Sequence, residues 1–469
     1  MARAAPLAAA RPALLPAAAV VVAAGVSAWL ASRYVALSVD ANYSLAWGGE
    51  LMRGRIPDLG GPELTTPHPL PILVAALLSP LGAPGASDAY GLLMVLAFGL
   101  LLYAAFRLSR ALGGLAAALI AVVLVATRPR LDFFAAHGFV DVPFTALVLL
   151  AGASAAEAPR RNARRALALL AVAGVLRPEA WAFSLLFGAF VLLSPGQAPV
   201  GGRLRPLALA ALAVAAPLAW LGFDVALTGD PAHSLAGTRE GAVALARATG
   251  PEQLWPAFEV GIERLVGVPV AVAGVIVAAW GIAAGRGRRS AFALAAALVG
   301  AGVAAFAVLA YTALPLNDRY LLVPALGLAC LASAGAGGFA RRSPVPIAAL
   351  VLALGGTLPG AVGDIRETAS MLALSREKRE ADTDLERLLA RPDVLARIDR
   401  CPRISASGSA RAAAAALLER DPADIPISRS PVPPTGALAI GTAPSVRRGT
   451  PGVTRQGAWA LVDRCSAAG

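Results

Sequence analysis

Charge is scarce in this chain. Only 15% of its 469 residues are Asp, Glu, Lys or Arg, against roughly a quarter in soluble domains. With 57% hydrophobic residues and a mean hydropathy of +0.68, that deficit excludes an ordinary soluble globule and points to a polytopic membrane protein. Lysine is almost missing, Lys378 standing alone, so the 41 basic residues set against 29 acidic ones are nearly all arginine. Those arginines gather in short clusters between apolar runs, which is how cytoplasmic anchors are distributed; a nucleic-acid surface is excluded on that ground. The excess of Ala, Arg and Pro over Lys fits a high-GC bacterial genome. Cysteine is limited to three positions. Cys330 sits in an apolar run as a packing residue, whereas Cys401 and Cys465 fall in a polar tail and are expected to pair as a disulfide. No internal repeat is visible.

Apolar runs predict about eleven spans, over 13–32, 88–106, 113–127, 141–156, 166–176, 180–194, 206–223, 265–284, 290–312, 320–339 and 344–361. The first could pass for a signal peptide, but its length and the many spans that follow favour a retained helix with a cytoplasmic N-terminus. The clusters Arg107/Arg110, RRNARR at 160–165, Arg203/Arg205, RGRR at 286–289 and Arg341/Arg342 belong on the cytoplasmic side, so an even number of crossings separates each consecutive pair. That parity splits 166–194 into two short spans turning outward at Arg177-Pro178-Glu179, where Pro stops the first helix. It also places 33–87, the turn at 128–140, the loop 224–264 and everything after about 362 on the outer face. Within the first loop, HPLPILVAALLSPLG at 68–82 reads as a short interfacial helix. From 362 the composition turns polar, and a charge-laced helix leads into a small α/β module. The expected architecture is an all-α membrane core, 1–361, with a small α/β extracytoplasmic domain, 362–469.

Charged side chains at the edges of membrane segments are costly and call for a function. On the outer face they gather in five places: Asp40; His68; Arg128, Arg130, Asp132, His137 and Asp141; Arg177 and Glu179; and Asp318 and Arg319. No cytoplasmic segment has a comparable mixture. Moving a sugar from a lipid phosphate needs this inventory: a carboxylate to take the acceptor's proton, and cations to stabilise the departing phosphate at the membrane surface where the lipid tail holds it.

The order of these elements resembles the GT-C superfamily of integral-membrane glycosyltransferases, in particular the protein mannosyltransferase and aminoarabinose transferase branch, similar to glycosyltransferase family 39. The resemblance is carried by Asp40, Tyr43 and GRIPD after the first span, HPLPIL, GFVDVPF, the LRPE turn, TGDP in the long outer loop and NDRYLLVP. It covers residues 10–361. It implies a polyprenyl-phosphate sugar donor, a cell-envelope acceptor, and Asp40 as the general base of an inverting transfer on the outer face of the plasma membrane. Tyr43, His68, Arg128, Arg130, His137, Asp141, Arg177, Glu179, Arg319 and Tyr320 are then the expected substrate-binding residues. Many relatives carry two acids in a row where this chain has Asp40-Ala41, which leaves a divalent metal ion open. Structural roles stand beside these: Asp40 or Asp141 as helix caps, His68 and His137 as hydrogen-bonded interfacial residues, Arg177 paired with Glu179, and Arg319 as a snorkelling anchor. A transporter or lipid flippase is the alternative class, although its charges belong near the midplane, often in repeats.

Overall fold

A computed structural model describes residues 35–60, 65–193, 204–244, 246–284, 287–338, 342–401, 403–428, 430, 432–447 and 449–465. The expected first span at 13–32 lies outside the described residues. Each later apolar run is helical over most of its described residues. Four helices are long and apolar enough to cross a membrane, and up to seven if each of three bent pairs counts as one span. The runs at 113–127 and 180–194 are the shorter apolar helices Leu115–Ala126 and Ala180–Leu193, and 166–176 falls in Ala163–Leu176. The main buried core is built from the helices Gly82–Gly113, Asp141–Glu157, Val268–Ala284 and Leu322–Ser333, with Cys330 fully enclosed among them.

The first outer segment is ordered as a helix, Val39–Met52, and its start is written locally. Ser38 caps it, its hydroxyl accepting the Ala41 N–H at 3.2 Å, and Asp40 in the first turn complements the positive end of the helix dipole. Thus Ser38, and not Asp40, is the cap. One face of this helix meets the helix Pro69–Leu78 so closely that a Cβ on Gly48 would lie 2.5 Å from the backbone nitrogen of Ala76. Pro69–Leu78 runs through the 3₁₀ turn Ser79–Leu81, with Gly82 at φ 74°, into Gly82–Gly113, and Pro69–Gly113 together is one of the four candidate spans, so the expected interfacial helix is not set apart from the span that follows.

Two turns between helices bring further charges to the same end of the bundle. The helices Pro129–Ala136 and Asp141–Glu157 meet at 116°, and between them Gly138 has φ 69° and leaves no room for a Cβ, which would sit 2.8 Å from Leu37. Asp141 therefore opens its helix at the turn. Likewise Arg177, extended because Pro178 follows, closes the turn between Ala163–Leu176 and Ala180–Leu193.

The tail packs on the core. Its helix Ala361–Leu389 lies along Pro129–Ala136, with ion pairs Arg128–Asp364 (3.2 Å) and Arg130–Glu367 (3.7 Å). Beyond it, four strands, β1 (Ile404–Ala406), β2 (Leu438–Thr442), β3 (Val453–Gln456) and β4 (Trp459–Asp463), form a sheet of order β1-β2-β4-β3, parallel at β1/β2 and antiparallel elsewhere. Trp459 ties the sheet to the long helix by donating its indole N–H to the Ala381 carbonyl at 2.7 Å. The core of this module includes Ala46, and Ala412 packs beside Tyr43 and Trp47, so the helix Val39–Met52 is clamped between membrane core and tail. Glu50 secures the junction: it is buried, accepts from Arg53 and Arg55, and Arg55 in turn donates to the Glu419 carbonyl at 2.8 Å. These arginines, Arg55 first, hold the Glu50 carboxyl below its usual range against the opposing effect of burial.

Cys401 and Cys465 form a disulfide with Cα atoms 6.0 Å apart, across a sequence separation of 64 residues. A loop of that length restrains the unfolded tail by about 4 kcal/mol on the chain-entropy estimate. Replacing both cysteines by serine should therefore lower the melting temperature of the tail, read by proteolysis at the β-module on heating, while cleavage within the membrane core is unchanged.

Candidate active site

Five ionisable side chains meet at one end of the bundle. Asp141 is 1% exposed and Arg177 6%, and the guanidinium of Arg177 donates from Nη1 to Asp141 Oδ1. The same guanidinium grips Glu179 through Nη2–Oε1 at 2.5 Å and Nε–Oε2 at 3.2 Å. Arg319, from the 3₁₀ turn Asp318–Leu321, places Nη1 3.2 Å from Asp40 Oδ2 and 3.9 Å from Asp141 Oδ2. The result is a chain of alternating charge, Glu179–Arg177–Asp141–Arg319–Asp40, running from the buried hairpin turn to the more exposed Asp40, whose side chain is 36% accessible. Aromatic faces complete it: Arg177 lies 4.4 Å above Tyr320 and Arg319 4.9 Å above Phe139.

Burying such a cluster costs several kcal/mol per ion unless each charge has a partner, and here each does. Burial alone would raise the Glu179 carboxyl, but the charge and hydrogen bonds of Arg177 outweigh it and hold the group below its usual range. His68 has no such partner. Half-buried beside Trp220 with its enclosed Nδ1 unbonded, it is pushed down to about 4 by desolvation and then by the charge of Arg177, so its imidazole is neutral at physiological pH.

A cavity of about 1040 Å3 opens over this cluster. It brings together eight of the residues expected from sequence: Asp40, Tyr43, His68, Asp141, Arg177, Glu179, Arg319 and Tyr320. Arg128, Arg130 and His137 are not in its wall. Arg128 and Arg130 pair with the tail helix, Arg130 also standing 3.8 Å from Asp318. His137 is buried against Phe133, its ring 4.0 Å away and its Nδ1 2.9 Å from the Phe133 carbonyl. It holds the turn through backbone, Ser38 N–H donating to its carbonyl at 2.8 Å.

Sequence reasoning missed other parts of the wall. Asp224, 1% exposed, accepts from the Ser234 amide and hydroxyl at 3.1 and 2.7 Å and pins the long outer loop to its span. A carboxylate inside the apolar run LGFDVALT was the available signal. Trp181 and Trp220 stand edge to face at 6.0 Å as an aromatic side wall, and Gly408 and Ile427 reach in from the tail. Arg247, on the long outer loop, lines the mouth. It is exposed and has no ion pair among the described residues.

The carboxylates do not suit a divalent metal. Among the described residues no three His, Cys, Asp or Glu side chains group as ligands, and Arg319 stands between Asp40 and Asp141 where a shared cation would have to lie. The cluster instead is a network of ion pairs with its own internal cations. Removing one member should expose that dependence: Arg177→Gln should cost on the order of 3–5 kcal/mol by taking the cation from buried Asp141 and from Glu179, Asp141→Asn should cost less because Arg177 keeps Glu179, and the double substitution should cost less than the sum. Denaturation of the four proteins in detergent checks this.

No family model and no curated protein matches the sequence. Among solved structures, the chain is similar over 97% of its length to the aminoarabinose transferase ArnT of Cupriavidus metallidurans bound to undecaprenyl phosphate, at 14% identity and a TM-score of 0.56, covering 98% of that chain. The apo form of the same protein matches at 15% identity and a TM-score of 0.54, over 98% of this chain and 99% of that one. The Archaeoglobus fulgidus oligosaccharyltransferase in its apo form matches at 12% identity and a TM-score of 0.51, over 86% of this chain and 64% of its own. At such identities what is shared is architecture: the chain has the fold of the ArnT and oligosaccharyltransferase structures.

Proposed function

We propose that this protein is a membrane glycosyltransferase that moves a sugar from a polyprenyl-phosphate donor to a cell-envelope acceptor on the extracytoplasmic face. The observation that carries the reading is Asp40. It is the accessible end of the charge chain, in the wall of a cavity large enough for a sugar phosphate, with Oδ2 held by Arg319 and Oδ1 unbonded among the described residues. A neighbour of the same fold was solved with undecaprenyl phosphate bound, which supports a lipid-linked donor.

In this mechanism the acceptor hydroxyl attacks the anomeric carbon from the face opposite the phosphate. The carbon–oxygen bond to phosphate breaks, the configuration inverts, and the hydroxyl proton passes to Asp40. Arg319 keeps Asp40 oriented. Arg247, the cation left unpaired at the mouth, takes the charge of the departing polyprenyl phosphate, while Arg177 is committed to Asp141 and Glu179 and serves to position them. The Trp181–Trp220 wall and Tyr43 supply apolar faces for a sugar ring. Residues 1–361 form the transferase core with about eleven crossings and a cytoplasmic N-terminus, in a bacterial plasma membrane. The domain 362–469 is extracytoplasmic, and its Gly408 and Ile427 face the acceptor.

The alternative, a transporter or flippase of envelope precursors, also uses buried charges, but here they collect at one end of the bundle beneath a soluble module. Purified protein given a labelled polyprenyl-phosphate sugar and crude envelope acceptors distinguishes the two, since only a transferase forms a labelled product. Asp40→Asn should lower kcat by roughly 10² to 10⁴ with little change in melting temperature. Glu50→Gln should do the reverse, weakening the fold through its buried pairs with Arg53 and Arg55 while folded protein keeps its turnover. Near-normal turnover of Asp40→Asn would move the base elsewhere. For orientation, a cysteine introduced near Gly436 should react with an impermeant label in intact cells and one near Arg161 should not.

A further inference from the structure

A second cavity, of about 540 Å3, lies at the other end of the bundle. Its wall holds Tyr103, Phe106, Arg107, Arg110, Glu157 and Arg288. Glu157 ends the helix that Asp141 begins, so the two cavities are separated by sixteen helical steps, about 24 Å, close to the hydrocarbon thickness of a bilayer. Arg110 in the last turn of Gly82–Gly113 and Arg288 at the start of Arg289–Tyr311 mark the same level.

The charges in this cavity do not balance. Arg107 takes the lining acid, Glu157, through a bidentate contact at 2.5 and 2.6 Å. Arg288 donates one N–H to the Leu112 carbonyl at 2.9 Å, which fixes its direction without neutralising it. Arg110 has no ion pair among the described residues. Two guanidiniums thus remain for an anion, beside the apolar faces of Tyr103 and Phe106. Basic anchors that only snorkel to the membrane surface need no concavity between helices; these enclose one of a size that suits a small polar headgroup.

We propose that this cavity binds a phosphate group, of the kind an anionic phospholipid headgroup presents, at the membrane surface opposite the transfer site. Arg110 and Arg288 contact the phosphate oxygens, Arg107 with Glu157 forms the fixed floor, and Tyr103 and Phe106 receive the adjoining glycerol and acyl carbons. The inference does not depend on the transferase reading.

Native mass spectrometry of the full chain, released from nanodiscs of phosphatidylglycerol, cardiolipin or phosphatidylcholine, provides the test, with inorganic phosphate titrated into detergent-solubilised protein as a separate arm. The expected result is retention of an anionic phospholipid but not phosphatidylcholine, weakened roughly 30-fold by Arg110→Gln with Arg288→Gln, about fivefold per charge removed. Binding of inorganic phosphate that the same substitutions abolish supports the site with a soluble phosphate as its source. Retention of all three lipids alike, anionic binding unaffected by the substitutions, or no binding in either arm overturns it. An unchanged melting temperature confirms that the double variant is folded; if it is not, the single Arg110→Gln, whose side chain bears no ion pair, carries the test.

Discussion

The ion pair between Asp141 and Arg177 joins the start of one membrane helix to the turn between two others, and the site is assembled around it. Both partners are almost fully enclosed, so neither can lose the other without leaving a charge in a poorly solvated place. That penalty makes the pair a positional device. It fixes where Asp141 Oδ2 lies, Asp141 then shares Arg319 with Asp40, and the exposed carboxylate inherits its position from buried ones. The Gly138 turn and the extended Arg177-Pro178 step are the backbone conditions that let the pair form.

The helix Val39–Met52 translates that arrangement outward. It is buried on nearly every side, by Pro69–Leu78 at Gly48 and by the tail module at Ala46 and Trp47. Asp40 therefore stands on a clamped helix and not on a connecting loop, which fixes its position relative to the cavity. The tail contributes twice, by holding this helix through Arg55 and Glu419 and by carrying Gly408 and Ile427 to the cavity wall.

Arginine has two separate uses in this chain. At one end Arg177 is saturated by Asp141 and Glu179, and Arg247, without an ion pair among the described residues, lines the cavity. At the other end Arg110 and Arg288 are left in excess over the acid beside them. The guanidinium keeps its charge when buried and binds carboxylates or phosphates by the same planar fork, which makes one residue type serviceable in both settings.

The membrane class, the helical runs after residue 88 and the break in composition near 362 were determined by the sequence itself, because long apolar runs and charge clusters have few physical solutions in a bilayer. Asp40, Asp141, Arg177, Glu179 and Arg319 were legible for the same reason, as charges too costly to place at membrane edges without use. What only tertiary structure decided was pairing. Arg128 and Arg130 look equivalent to Arg177 in sequence, yet they turn toward Asp364 and Glu367 because the tail helix packs along their turn. His137 resembles His68, but one stacks on Phe133 inside a turn and the other faces the cavity. Glu50, one more loop acid by sequence, proved to be a buried tie to the tail. The contribution of Ile427 depends on a contact between segments far apart in the chain, and local patterning holds no record of such contacts.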